Sequence, residues 1–162
     1  MKRYCLDSDT FIQAKNRHYA LDIVPVFWSW LDDQASAGTI FSAAHVYDEI
    51  LRKDDDLANW IRPRKNTGLF VEDEPVQHEY AKVVRYVQSH SDFAPHEIAD
   101  FCNGADGWVI AHAIAKSAAV VTHEVWVQGY TKKVKIPNIC AVFHVRYIDV
   151  FQMLRELNAR FG

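Results

Sequence analysis

The sequence predicts an α/β fold in which helices cover both faces of an open parallel sheet. Short apolar segments typical of buried strands alternate along the chain with longer segments whose apolar residues recur at helical spacing. The chain has 162 residues, near the usual domain size of roughly 100–150 residues. Since 49% of its residues are apolar, it can build a proper core, and we expect one domain over residues 1–162.

Six segments are short and apolar enough to be strands: 4–6, 39–42, 70–71, 118–122, 134–136 and 146–148. The segments between them show helical spacing or helix-terminal residues: 11–15, 25–37, 43–53, 57–61, 75–88, 105–116 and 150–160. Pro25 near a first turn and Gly38 beyond a last turn mark the ends of the second helix. This alternation is the basis for the predicted fold class.

The charge balance and the cysteines exclude several classes of protein. The chain carries 18 Lys and Arg against 21 Asp and Glu, a formal net charge of −3, so any nucleic-acid surface must be local. No apolar run approaches the ~18 residues of a membrane span, and the N-terminus lacks the apolar stretch of a signal peptide. The three cysteines show no paired spacing and are expected to be reduced thiols, which predicts a cytoplasmic protein.

Acidic residues follow predicted strands or begin predicted helices. Asp7 directly follows the first strand, and Glu124 follows the strand at 118–122. In parallel sheets this carboxyl edge is where ligands bind. Asp106 lies on the apolar arc of its helix with Val109 and Ile110, where a carboxylate is costly to ionise without a positive partner. We therefore expect a functional site at this edge.

Each of these acids also has a structural explanation when it is taken alone. Asp7 or Asp9 could cap the first helix, Asp106 could be a first-turn acid, and Glu49 or Glu124 could be a solvated surface residue. Several acids at one edge repel each other, however. Such a group persists most naturally around Mg²⁺ or Mn²⁺, which prefer carboxylate and water oxygens.

Four segments resemble, in the same order, the acid-bearing blocks of the PIN-domain (PilT N-terminus) nucleases, the fold of VapC-type toxins. They are residues 4–9 (YCLDSD), 46–50 (VYDEI), 104–113 (GADGWVIAHA) and 120–124 (VVTHE). The resemblance covers nearly the whole chain. It is closest to an uncharacterised PIN-like subgroup, whose DSDTF opening and KIPN segment match residues 7–11 and 135–138.

This resemblance implies a three-layer α/β/α sandwich with a central, mostly parallel sheet of about five strands. It assigns metal binding and catalysis to four acids: Asp7, Glu49, Asp106 and Glu124. The spacing of the apolar face does not separate Asp48 from Glu49, and only the family pattern selects Glu49. Asp9 and Thr122 are expected to support the metal-binding acids. Glu124 stands where Asp is commoner, and the segment 54–93 is longer than in compact toxins.

The implied activity is Mg²⁺- or Mn²⁺-dependent endoribonucleolytic cleavage by the toxin of a type II toxin–antitoxin system. An antitoxin partner and a homodimer follow from the same resemblance. RNA binding requires local positive charge, for which Lys15 and Arg17 are preferred because they follow Asp7 by about two helical turns. The clusters at 62–65 and 132–135 are further candidates.

Three other functions compete with this one. The opening at residues 6–10 resembles that of haloacid-dehalogenase-like phosphatases, with Asp7 as nucleophile and Asp9 as acid/base, although Thr10 follows Asp9 directly and the later acid pair is missing. A zinc site is disfavoured because neither Cys nor His pairs show finger-like spacing. A PIN-like module that only binds a partner remains the non-enzymatic alternative.

Overall fold

A computed structural model describes residues 1–129 and 131–162. Over these residues the chain forms a five-stranded sheet with the order β3-β2-β1-β4-β5, in which every neighbouring pair is parallel. The strands are β1 (Tyr4–Leu6), β2 (Ile40–Ala43), β3 (Phe70–Val71), β4 (Ala119–Val121) and β5 (Tyr147–Ile148). Helices flank this sheet, which confirms the predicted α/β/α class.

Nine α-helices connect and cover the strands within the described residues. They are α1 (Ser8–Gln13), α2 (Pro25–Ser36), α3 (Ala44–Leu51), α4 (Asp56–Ile61), α5 (Gln77–Ser89), α6 (Pro95–Asn103), α7 (Asp106–Lys116), α8 (Ile136–Val142) and α9 (Val150–Glu156). A π-helical turn, Ala14–His18, extends α1, and short 3₁₀ turns occur at Arg62–Arg64 and Glu74–Val76. In the described part of the chain, no helix is both long and apolar enough to span a membrane.

The core lies between the sheet and the helices that pack on it. β1 is central and wholly buried, and its neighbours β2 and β4 are buried on both faces, which explains their continuous apolar composition. The apolar helix α7 packs against β1, β2 and β4, and α5 packs against α7. The three cysteines are free thiols, as expected.

Three sequence-based predictions about secondary structure are wrong. The first helix begins at Ser8 rather than at residue 11, because Asp7 caps it. Residues 134–136 are not a strand: Val134 and Lys135 lead into α8, which begins at Ile136. Pro137 in the first turn explains this, because proline fits the start of a helix and cannot donate to a strand ladder. The last helix ends at Glu156 rather than at residue 160, and Asn158 adopts a positive φ just beyond it.

The sequence reasoning also missed α6 and left the segment 54–93 without a role. α6 begins at Pro95 and leads through Gly104 into α7. The long segment contributes α4, the edge strand β3 and α5, so it completes the sheet and covers α7.

Candidate active site

The parallel arrangement brings the carboxyl ends of all five strands to one edge of the sheet. Leu6 on β1 is in register with Ser42 on β2 and with Val121 on β4. The Asp7 N–H donates to the Val121 carbonyl at 3.1 Å, so Asp7 and Thr122 leave adjacent strands side by side. Residues that are more than 110 positions apart in sequence therefore share this edge.

Asp7 is a buried carboxylate that also caps a helix. Its side chain is 2% exposed, and its Oδ1 accepts hydrogen bonds from the Thr10 N–H (2.8 Å) and the Thr10 hydroxyl (2.7 Å) at the start of α1. Burial raises the pKa of Asp7 to about 7, against the hydrogen bonds from Thr122 and Thr10, which lower it. The capping explanation is therefore correct for Asp7, and the cap lies in the candidate site.

Glu49 bridges two helix starts at this edge. It lies on α3, where its Oε2 accepts a hydrogen bond from the Ser8 hydroxyl at 2.6 Å and its Oε1 accepts one from the Ala105 N–H at 2.9 Å. Its neighbour Asp48 is exposed. The structure thus directs Glu49, and not Asp48, toward Asp106, the residue after Ala105.

Asp106 is surrounded by like charges. It is the first residue of α7, and burial raises its pKa well above the usual value. The negative charges of Asp7, Glu124, Glu49 and Asp9, in that order, raise it further. The acids predicted from the sequence therefore share one local electrostatic environment, and a carboxylate in it gains from a cation.

Glu124 is held between the end of β4 and the start of α8. Its Oε2 accepts a hydrogen bond from the Ile136 N–H at 2.6 Å, and its own N–H donates to the Thr122 hydroxyl at 3.1 Å. Burial raises the pKa of Glu124, while the bond from Ile136 and the charge of Lys135 lower it. Thr122 also follows Val121, whose carbonyl accepts from the Asp7 N–H, and it lowers the pKa of Asp7, so it stands near both acids.

An open cleft of about 290 Å³ lies in front of Asp106 and Glu124. Its other lining residues include Glu97, Asp100, Lys133 and Lys135. Carboxylates thus form one part of the wall and lysines another, an arrangement that can hold a divalent cation beside a phosphate group.

The carboxylates meet at this edge without forming a closed coordination shell. Among residues 1–129 and 131–162, no three His, Cys, Asp or Glu side chains converge at metal-binding distance. Glu49 and Glu124 instead accept hydrogen bonds from backbone N–H groups. The donor chemistry nevertheless fits a hard divalent cation, since all four groups are carboxylates and their charges disfavour ionisation of Asp106.

The two predicted RNA-binding residues lie in the π-helical turn after α1. Lys15 forms an ion pair with Asp55 (3.1 Å) and lines a small pocket with Glu49 on one side of the site. Arg17 is exposed. Asp55 therefore partly neutralises the charge of Lys15. The contact of Lys15 and Arg17 with RNA stays a prediction.

Sequence reasoning missed a polar junction at the same sheet edge. Asp73, which follows β3 and is 6% exposed, accepts hydrogen bonds from the N–H groups of Ala44 (3.2 Å) and His45 (2.9 Å) at the start of α3. It also bonds the rings of His45 and, at 2.7 Å, the buried His112 on α7. The only sequence signal is an acid placed just beyond a strand, the same position that Asp7 has after β1.

The order of the strands, the flanking helices and the edge where the acids meet define a PIN-like α/β/α protein. A family model described as domain of unknown function (DUF4411) matches residues 4–161, and the chain belongs to that family. This confirms the resemblance noted from the four acid-bearing segments. Among curated proteins, the sequence has no significant match.

Solved structures share this fold at low sequence identity. FitAB bound to an IR36 DNA fragment is 18% identical, with a TM-score of 0.51 over 90% of this chain and 94% of the other. VapBC2 from Rickettsia felis, bound to a DNA fragment from its promoter, is 12% identical, with a TM-score of 0.53 over 90% and 97%. FitAcB from Neisseria gonorrhoeae is 18% identical, with a TM-score of 0.51 over 90% and 96%.

Proposed function

We propose that this protein is a Mg²⁺- or Mn²⁺-dependent endoribonuclease. The observation that carries the proposal is the group of carboxylates from four separate elements at one sheet edge, whose charges together disfavour ionisation of Asp106. Such a group is unfavourable for folding alone and becomes favourable when it binds a divalent cation. Lys133 and Lys135 line the same cleft beside its carboxylates and offer positive charge to the phosphates of a phosphodiester substrate.

In this proposal Asp7 and Asp106 are the principal metal ligands, and Glu49 and Glu124 complete the site. When bound, the metal ion would supply an activated water and stabilise charge on the leaving oxygen. The hydrogen bonds from Thr10 fix the orientation of the Asp7 carboxylate. Glu49, fixed at both oxygens, would orient the attacking water.

We further propose that the protein acts in the cytoplasm as the toxin of a type II toxin–antitoxin pair, bound to an antitoxin and as a homodimer. The structures of FitAB and VapBC2 are toxin–antitoxin complexes on DNA, and they share this fold. An antitoxin would inhibit the enzyme by covering the cleft in front of Asp106. Copurification with the product of an adjacent small gene would test this partnership.

The activity is tested by incubating the purified protein with RNA in the presence of Mn²⁺ or of EDTA. We expect cleavage that requires the metal, and Asp106→Asn should reduce it by roughly 100-fold or more, because even residues that only support metal ligands cost about 10–100-fold. Asp48→Asn is the matched control. It removes an exposed carboxylate next to Glu49 and should leave the rate unchanged.

Cleavage that persists in EDTA, or that Asp106→Asn leaves intact, would refute the nuclease. Turnover of a phosphate monoester through an aspartyl-phosphate on Asp7 would favour the phosphatase instead. If neither substrate reacts, a module that only binds a partner becomes the better explanation.

A further inference from the structure

Two chain segments beside the cleft are tied together by side-chain hydrogen bonds. Glu124 accepts a hydrogen bond from the Ile136 N–H. Three residues later, the backbone of Val127 forms two hydrogen bonds with the side-chain amide of Asn138. In the second tie the Val127 N–H donates to Asn138 Oδ1 at 2.9 Å, and Asn138 Nδ2 donates to the Val127 carbonyl at 2.8 Å. We name residues 124–127 and 133–138 the clasp.

The two residues between the ties are apolar and face water. Val125 is 75% exposed and Trp126 is 44% exposed. Trp28 is buried, and the other three tryptophans, Trp30, Trp60 and Trp108, are partly buried and pack against the core. The hydrogen-bonded residues on both sides keep the Trp126 indole in solvent. Exposure of this apolar ring to water costs free energy in the unbound protein, and the ring offers a flat surface to a ligand.

Two lysines of the same clasp line the cleft. Lys133 and Lys135 line the cleft together with Asp106 and Glu124, whereas Lys132 is exposed outside its lining. The clasp thus carries an exposed indole between residues that are bonded to the segment bearing these two lysines. An aromatic side chain for stacking and cations for phosphates are the groups that bind one nucleic-acid strand.

We propose that the clasp is the binding subsite for single-stranded RNA. Trp126 stacks on an unpaired base, while Lys133 and Lys135 bind phosphates next to the scissile bond. A single strand is favoured because stacking requires a free base face, which a duplex does not offer. This inference rests on the proposed nuclease function and specifies its substrate.

The test measures binding of a short unpaired ribo-oligonucleotide in an Asp106→Asn background, which removes cleavage. We expect Trp126→Ala to weaken binding about tenfold without changing its salt dependence, and Trp126→Phe to retain most of the affinity. Lys133→Gln should weaken binding and reduce the slope of log affinity against log salt by about 0.7. Lys82→Gln, the matched control, removes an exposed lysine of α5 that lies outside the cleft lining and should change neither.

Tryptophan fluorescence provides a readout that a purely structural role would not change. Quenching by the oligonucleotide should occur in the Asp106→Asn protein and be lost in Trp126→Phe. Unchanged melting temperatures would show that the variants fold, as expected for exposed positions.

Unchanged RNA affinity in both Trp126→Ala and Lys133→Gln would overturn the subsite. The same would hold if these variants lost self-association instead, because the clasp would then be a protein contact. A duplex that binds as tightly as the single strand would also contradict it. If the wild-type protein binds RNA but does not cleave it, the proposed nuclease activity is refuted and the RNA-binding subsite is retained. If Trp126→Ala cleaves RNA as fast as wild type, the subsite is refuted and the nuclease activity is retained.

Discussion

At the residue scale, the contact between Glu49 and the start of α7 depends on the absence of a side chain at position 104. A Cβ on Gly104 would lie 3.1 Å from Glu49 Oε1 and 3.2 Å from the Asp100 carbonyl oxygen. Both distances are shorter than ordinary van der Waals contact. The glycine therefore allows the carboxylate to reach the Ala105 N–H.

Gly104→Ala should consequently impair the proposed RNA cleavage more than it impairs folding. The new methyl group pushes Glu49 away from Ala105 by a few tenths of an ångström, and rates are sensitive to small misplacements of catalytic groups. We expect at least a tenfold loss of rate, measured as RNA cleavage at saturating Mn²⁺, together with a melting temperature within a few degrees of wild type.

Gly38→Ala is the control for this experiment. Gly38 has φ = 74° and no atom within 4 Å of its would-be Cβ, so the substitution should cost roughly 1 kcal/mol of stability and no activity. Equal rate losses in the two variants would show that position 104 acts only through stability.

At the scale of elements, Asp73 joins β3, α3 and α7. It caps α3 through the N–H groups of Ala44 and His45 and bonds His112 on α7. Burial raises the pKa of Asp73, but the hydrogen bonds from His112 and His45 outweigh it and lower the pKa below its ordinary value. The ionised carboxylate is therefore the form that stabilises this junction.

Asp73→Asn should destabilise the protein by about 2–4 kcal/mol at pH 7, because it weakens buried bonds to a charged group. Since the pKa of Asp73 is lower in the folded than in the unfolded state, folding releases protons at acidic pH. The stabilisation is present above the unfolded pKa of about 3.9 and is lost as the pH falls through the folded pKa. Urea unfolding from pH 3 to 7 in EDTA should show the two proteins converging at the acidic end.

Glu72→Gln supplies the comparison, because Glu72 is the exposed neighbour of Asp73. It should leave both stability and its acid dependence unchanged. A constant difference between Asp73→Asn and wild type across the pH range would argue against a stabilising charge at Asp73.

At the scale of the whole molecule, the charge is unevenly distributed. The formal net charge is −3, while four acids from distant parts of the chain concentrate at one edge, where the charges of the other three raise the pKa of Asp106. Bringing these carboxylates together lowers the free energy of unfolding of the metal-free protein. A divalent cation bound as proposed would offset that cost, and metal binding would then be coupled to global stability.

Saturating Mn²⁺ should raise the melting temperature by roughly 5–10 °C, since a ligand at 100 times its Kd contributes about 2.7 kcal/mol and each kcal/mol shifts a domain of this size by about 2–4 °C. Differential scanning fluorimetry measures the shift. Asp106→Asn should abolish most of it, and NaCl at matched ionic strength should not reproduce it. An equal shift in wild type and Asp106→Asn would place the metal elsewhere.

The sequence was sufficient to predict the α/β class and the edge of the sheet where the acids lie. Strand segments, the order of the blocks and acids such as Asp7 and Glu124 just beyond strands are local features. Because the strands are parallel, their carboxyl ends and the acids that follow them lie at one edge of the sheet. The same local reasoning misassigned residues 134–136, because a short apolar run before a proline satisfies both a strand pattern and the entry to a helix.

The tertiary structure alone decided which side chains face each other. It gave the physical basis for the family pattern's choice of Glu49 over Asp48, the bonds to Ser8 and Ala105, and it paired Lys15 with Asp55. It also assembled the Asp73 junction and left Trp126 exposed on the clasp. Periodicity and composition determine which residues are buried and where elements begin. Contacts across long sequence separations depend on packing geometry, which no local pattern encodes.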